Sequence, residues 1–160
     1  KVSEIQDPTN GNSALTVDTA GRVLMPARPA FRAHKTNAAV SGPNDYIPNV
    51  APLNLGGHYS TTTGRFTCPI AGVYVFYANV LTMTNQIEND LGLYVNNTDS
   101  ANRLVRSRVD NGGNTNAYAT ANIHFVGSFS VSDEVFLHVI QGTFFGTDGS
   151  WAQFGGYLLG

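Results

Sequence analysis

The segment Gly72–Leu81, GVYVFYANVL, limits the fold more than any other stretch of the chain. From Val73 onward apolar residues occupy both parities. Tyr74, Phe76, Ala78 and Val80 share one, and Val73, Val75 and Tyr77 share the other. Aromatic and β-branched residues at this density read as a strand, because they suit a pleated, packed surface. An antiparallel sheet ordinarily turns one apolar face to a core and one polar face to water. Here both faces need cover. The C-terminal WAQFGGYLLG repeats the pattern, with Phe154 and Leu158 on one parity and Tyr157 and Leu159 on the other. NIHFVGSF is intermediate: Ile123, Phe125 and Phe129 face one way, His124 and Val126 the other. Each large apolar side chain left in water forgoes roughly 1.5–3 kcal/mol.

No helix within the chain is available as that cover, since no long segment keeps an apolar 3.6-residue period. Strand patterns recur instead between turn residues such as Gly56-Gly57, Asn96-Asn97 and Asp148-Gly149. Strands are expected over 30–34, 58–61, 65–69, 72–83, 90–95, 103–109, 117–130, 134–141 and 151–159. Many short strands with Gly and Asn turns indicate an all-β sandwich or jelly roll. Self-association then becomes the economical way to cover the second face, and cyclic symmetry would stack the same residues about an axis.

Residues 1–28 are polar apart from two short apolar bursts, Leu15–Val17 and Val23–Met25, and are closed by Pro26 and Pro29. Too thin to build a core, they read as an extended N-terminal arm whose strands need a partner surface, with a disordered tail as the alternative. The expected division is an arm over 1–28 and a head over 29–160.

The 160 residues suffice for one domain with a core. Charged residues are only 12% of the chain, and Lys1 and Lys35 are its only lysines. Such a surface suits a rigid extracellular or virion protein. A formal net charge of −2 gives no reason to expect nucleic-acid binding. Cys68 is the one cysteine, which excludes an intrachain disulfide and a thiolate metal cluster. The longest apolar run, Val73–Ala78, is far short of a bilayer span, so no membrane insertion is expected.

The run Gly64-Arg65-Phe66-Thr67-Cys68-Pro69-Ile70-Ala71-Gly72-Val73-Tyr74-Val75-Phe76 resembles the signature of the complement C1q and tumour necrosis factor superfamily. Tyr59 and Thr63-Gly64-Arg65-Phe66 fit its first half. Phe154-Gly155-Gly156-Tyr157-Leu158-Leu159 is similar to its closing strand, and Pro29-Ala30-Phe31-Arg32-Ala33 to its opening one. Phe129 to Val135 resembles its strand-turn-strand, except that Ser132-Asp133-Glu134 replaces the usual Gly-Asp, which puts that turn's geometry in question. No collagen-like Gly-x-y run precedes the head, unlike the complement branch of the family.

The resemblance implies a C1q/TNF-like jelly-roll sandwich that assembles as a homotrimer. It places Tyr74 and Phe76 in the subunit core, where Phe66, Phe125 and Phe129 are also expected. It assigns Val75, Tyr77, His124, Val126 and Phe154 to the threefold axis. Separately, the arm segment from Asn10 to Val23 resembles leader pieces of bacteriophage virion proteins.

No Gly-x-Ser-x-Gly, His-Glu-x-x-His or Gly-x-x-x-x-Gly-Lys motif occurs, so neither an enzyme nor a cofactor is expected. His34, His58, His124 and His138 fall on separate elements, and no spacing supports a metal site. His124 on an axis would hold an anion or water, respond to pH near its ordinary pKa of about 6.5, or serve as a polar plug. Asp110-Asn111-Gly112 is similar to part of a calcium loop but lacks its alternating carboxylates. Arg103, Arg106 and Arg108 form the one basic cluster: they either grip a sugar carboxylate or phosphate, or pair with Asp90 and Glu88. Tyr118, Trp151 and Phe144-Phe145 lie near loops, where sugar-stacking aromatics sit. Arg103, Arg106, Arg108, Tyr118 and Trp151 are therefore the candidate ligand contacts.

The expected function is a non-enzymatic virion structural protein, with the arm bound to other virion proteins. Its outward homotrimeric head would be a phage tail-fibre or spike tip that binds host-surface carbohydrate. The alternatives are a capsid decoration trimer and a secreted cellular recognition protein.

Overall fold

The computed structural model describes residues 3–6, 8–9, 11, 13–83, 88–110 and 117–160. Among them lie strands and one short 3-10 turn at Ser100–Asn102, and no α-helix. Asn111 and Gly112 of the calcium-loop motif lie outside the described residues.

Two antiparallel sheets face each other. The first orders β12 (Thr120–Phe129), β9 (Gly72–Leu81), β15 (Ala152–Leu158), β4 (Ala30–His34) and β7 (Val50–Leu55). The second orders β11 (Arg103–Asp110), β10 (Glu88–Val95), β13 (Glu134–Gln141) and β6 (Asn44–Tyr46), with β8 (Phe66–Thr67) also pairing β13. Two-residue strands β5 (Val40–Ser41) and β14 (Thr143–Phe144) close one end. This is the jelly roll expected from the turn-punctuated strand pattern.

The core between the sheets is aromatic. Phe31 stacks on Tyr59 at 4.7 Å and on Phe66 at 4.8 Å, and meets Phe154 edge-on at 4.9 Å. Tyr74, Phe76 and Phe129 complete the cluster, with Phe76 and Phe129 edge-to-face at 5.4 Å. Such pairs add roughly 0.5–1.5 kcal/mol beyond area burial. Phe125, placed in the core by the sequence, is half-buried and packs on its margin against Phe129. Cys68 is buried, and burial pushes its thiol pKa up to about 12.

Two glycines on β15 decide how tightly the first sheet packs on both faces. A Cβ at Gly156 would lie 2.5 Å from the Phe76 ring inside the sandwich. A Cβ at Gly155 would lie 2.4 Å from the Tyr77 ring outside it. The adjacent pair thus seats one aromatic on each face of the neighbouring strand.

Several expected strands differ in extent. Residues 58–61 supply only the isolated bridge Tyr59↔Phe66, because Tyr59 is held by the Asn54 side chain through both its N–H and its carbonyl. β7 was not anticipated, since Pro52 interrupts its pattern. It is an edge strand, where a missing N–H is tolerated. The turn lacking the family Gly-Asp forms nonetheless. Ser132 takes φ +72°, the left-handed region that favours glycine, and Ser130 N–H donates to Asp133 Oδ2 at 2.8 Å.

The N-terminal segment forms its own meander of β1 (Glu4–Gln6), β2 (Ser13–Val17) and β3 (Val23–Leu24). None of its strands pairs with the sandwich. Ile5 opposes Leu15, and Val17 opposes Val23, so one face of the meander is apolar. Ile5 and Val23 stand more than half exposed.

Candidate assembly face and pocket

Register fixes which side chains share the outer face of the first sheet. Val126 pairs with Val75, and His124 with Tyr77. Tyr157 pairs with Val75 and Ala30, and Arg32 with Leu53. Opposed residues point to the same side, so Val75, Tyr77, His124 and Val126 stand together with Val73, Tyr157, Leu53 and Leu55. Val126 is 59% exposed and Tyr157 41%. Among the outward residues of this sheet Arg32 is the one fixed charge, and it donates to Gln153 Oε1 at 3.3 Å. No strand of the described chain covers this face.

Phe154 is a correction. It was expected on the axis, but it is fully buried within the subunit, against Phe31 and Phe76. The two parities of β15 were separated correctly, but the wrong one was assigned outward. Phe154 shares its side with Ala152, Gly156 and Leu158, and pairs with inward Ala78. Tyr157 is the outward aromatic of that strand, and the sequence supplied the signal in its alternation with Phe154.

The candidate ligand contacts do not come together. Arg106 grips the buried Asp90 with two guanidinium nitrogens, Nε at 2.8 Å, and that bond raises its pKa above the ordinary value. Arg108 pairs with Glu88. Arg103 sits at the far end of β11, opposite Tyr94. Of the two alternatives for Arg106 and Arg108, ion pairing is the one present. Tyr118 is 53% exposed just before β12.

Trp151 does border a pocket. It lies where β9 ends and β15 begins, and is lined by Asn79, Leu81, Thr120, Ser150 and Trp151 around about 250 Å³. The indole is half exposed and backed by the Phe145 ring at 6.0 Å. Its backbone is pinned, because Trp151 N–H donates to the Asp148 carbonyl and Leu81 N–H to the Trp151 carbonyl. Asn79 Nδ2 donates to Asn122 Oδ1 at 2.6 Å. Ser150 Oγ donates to Asp148 Oδ1 at 2.6 Å, and bonds from Ser150 hold the Asp148 carboxyl below its ordinary pKa. Sequence reasoning found Trp151 but missed Asn79. It continues the outward stripe Val73, Val75, Tyr77, and would have followed from that parity.

A wider polar groove of about 600 Å³ lies on the second sheet, by Asp45, Arg65 and His138. His138 Nδ1 is 2.7 Å from Asp45 Oδ1, and Arg65 reaches Asp45 and Glu134 at 3.4 and 3.3 Å. His34 and His124 face outward on the first sheet, and His58 lies in the turn before Tyr59. The four histidines therefore do not converge. Among the described residues no three of His, Cys, Asp and Glu stand close enough to hold a metal ion. Nor is any helix there long and apolar enough to cross a membrane.

A jelly roll with an aromatic core and an outer apolar sheet face that no described strand covers defines a class of all-β sandwich. The C1q domain family model matches residues 30–159, and the chain belongs to that family. Caprin-2 of Danio rerio is 30% identical over 138 residues, which cover 85% of this chain and 14% of that protein. Complement C1q tumor necrosis factor-related protein 5 of Rattus norvegicus is 38% identical over 69 residues, 42% of this chain and 28% of the relative. The chain thus spans a minor part of the curated relatives it matches. Among solved structures, the globular domain of zebrafish complement 1qA protein superposes with TM-score 0.65 at 18% identity, over 83% of this chain and 98% of that one. Murine APRIL at pH 5.0 superposes with TM-score 0.68 at 13% identity, over 82% and 99%. These two likenesses concern the fold.

Proposed function

We propose that the protein is a non-enzymatic, homotrimeric recognition head. Three copies close through the outer face of the first sheet, with Val75, Tyr77, His124 and Val126 about the threefold axis and Tyr157 beside them. The observation that carries this reading is the apolar, nearly charge-free outer face, which no element of the described residues covers. A patch of this kind on a soluble protein marks an interaction surface. Membership of the C1q domain family supports the same reading. Sedimentation of the full chain tests it: the expected mass is three times 17.1 kDa, stable to dilution. A monomer at micromolar concentration overturns it.

The finer reading places the head outward on a virion, as a phage tail-fibre or spike tip. Residues 1–28 are held by other virion proteins, and the head binds host-surface carbohydrate. Its support is the phage-like leader sequence and a meander whose strands pair with no other strand among the described residues and whose Ile5 and Val23 stand exposed. Localising the chain by cryo-EM of the source particle tests this, and a position on the capsid shell would assign it to decoration instead. A second reading, an extracellular recognition protein of a cellular organism, is favoured by the curated relatives. Absence of the chain from any particle, with secretion of the intact polypeptide, would establish that reading.

A further inference from the structure

We propose that the Trp151 pocket binds a single neutral saccharide ring, stacked on the indole and hydrogen-bonded by Asn79, Thr120 and Ser150. This deepens the carbohydrate-recognition reading above and rests on it. At about 250 Å³ the pocket falls below the roughly 300–1,000 Å³ of drug-sized sites, and one ring fits it. Its one large exposed surface is the indole, held still by Phe145 and by two backbone hydrogen bonds. The apolar C–H face of a pyranose lies flat on such a ring, while its hydroxyls need partners at the rim.

The rim supplies them. The Asn79 carboxamide donates to Asn122, and that bond leaves its own oxygen to accept a sugar hydroxyl. The Ser150 hydroxyl donates its hydrogen bond to Asp148 and presents its lone pairs as acceptors. Thr120 adds a hydroxyl that both donates and accepts. Fixing Asn79 and Ser150 before the ligand arrives lowers the entropic cost of binding.

Neutrality follows from the lining, which contains no charged side chain. Of the three arginines of β11, Arg106 is committed to Asp90 and Arg108 to Glu88, and Arg103 sits at the far end of the strand opposite Tyr94. A sialylated or sulfated ligand would find no counter-ion within the pocket. One ring alone binds weakly. The pocket lies at the end of the outer face, where Asn79 pairs with Asn122 and Leu81 with Thr120, beyond the Tyr77–His124 row of the proposed axis, so it opens at the rim of the trimer contact. Three such pockets on one trimer raise the avidity for a dense glycan surface without any new contact.

Trp151 is the only tryptophan, so its emission reports this pocket alone. The full chain is titrated with glucose, galactose and N-acetylglucosamine, and in parallel with glucuronate and N-acetylneuraminate. The expected result is a saturable emission change with at least one neutral sugar, in the millimolar range, and none with the acids. Asn79→Ala should weaken it by about tenfold, the loss of one or two hydrogen bonds. Arg108→Ala should leave it unchanged. Trp151→Ala, with its melting temperature checked against the parent, should lose binding on an array of neutral and acidic glycans. An array signal that survives Trp151→Ala, or emission that responds to the acids alone, overturns the pocket assignment and leaves carbohydrate recognition standing. An array on which the parent binds nothing overturns both.

Discussion

On the second sheet Tyr94 and Phe136 point away from the core, yet they are 3% and 1% exposed. Their rings stack at 6.0 Å, and the Arg65 guanidinium lies 3.7 Å above the Phe136 centroid, held there by Asp45 and Glu134. On the first sheet Val75, Tyr77 and Tyr157 also point away from the core, but among the described residues no cation lies over the Tyr77 or Tyr157 ring. Val126 and Tyr157 stay open to water. Both sheets have strands that are apolar on two sides. One solves the difficulty within the subunit, with arginine as a lid of apolar and cationic character. The other carries no such lid among the described residues. An apolar outward residue therefore signals an interface only where the chain provides no lid of its own.

The largest effect should come from charging the open face. Tyr77→Asp places an unpaired carboxylate on the proposed threefold contact, and the proposed trimer should give way to monomer in sedimentation, while the circular dichroism stays that of a β-sandwich. Arg108→Ala on the opposite sheet should leave the mass unchanged. If Tyr77→Asp remained trimeric, the contrast between the faces would lose its meaning.

Next comes the capped face. Phe136→Ala removes the platform under Arg65 and should cost about 3–5 kcal/mol in denaturant unfolding, with assembly mass unaffected. A change in mass instead would place Phe136 in an interface and erase the distinction.

A smaller, shared effect lies in the core beneath both faces. Burial raises the Cys68 thiol from 9.0 to about 12, and raises the buried Tyr46 and Tyr59 hydroxyls above their ordinary 10.0. The folded chain keeps protons there that the unfolded chain releases. Stability from these groups is therefore complete below pH 9 and falls as pH rises through 12. Thermal melts across this range should show the decline, and Cys68→Ala should delay its onset to about pH 10, where the tyrosines begin. An onset at pH 9 in that variant would exclude Cys68 as the cause.

The smallest effect concerns the turn after β12. Ser132 at φ +72° carries a strain that glycine lacks, so Ser132→Gly should stabilise by about 0.5–1 kcal/mol, net of the entropy glycine adds to the unfolded chain. Equal melting midpoints would show that the bonds of Ser130 and Asp133 already absorb the strain.

Much of the fold was legible because it depends on local chemistry. β4 and β13 match their expected bounds, and β9, β11 and β15 differ by a residue or two at an end. Short strands such as β5, β6 and β14 were illegible, because two or three residues carry no period. β7 was hidden by Pro52, whose tolerance depends on an edge position that only pairing reveals. The pocket was half legible. Its place near a loop suggested Trp151, but Asn79, Thr120 and Ser150 are distant in sequence and meet only when β9, β12 and β15 align.

The residues alone determined that this chain is built of strands, that several of them are apolar on both sides, and that Phe154 and Tyr157 must face opposite ways. Alternation is a local consequence of the pleat, so it survives without knowledge of the fold. Which side is inside was decided only by the tertiary structure. Phe154 turns inward because β15 lies between β4 and β9, opposite Ala78, where its ring meets Phe31. The same holds for Arg65, which covers Phe136 from another strand's turn, and for Arg106, which spends its charge on Asp90. A pleat fixes relative direction, and long-range pairing and packing fix absolute direction.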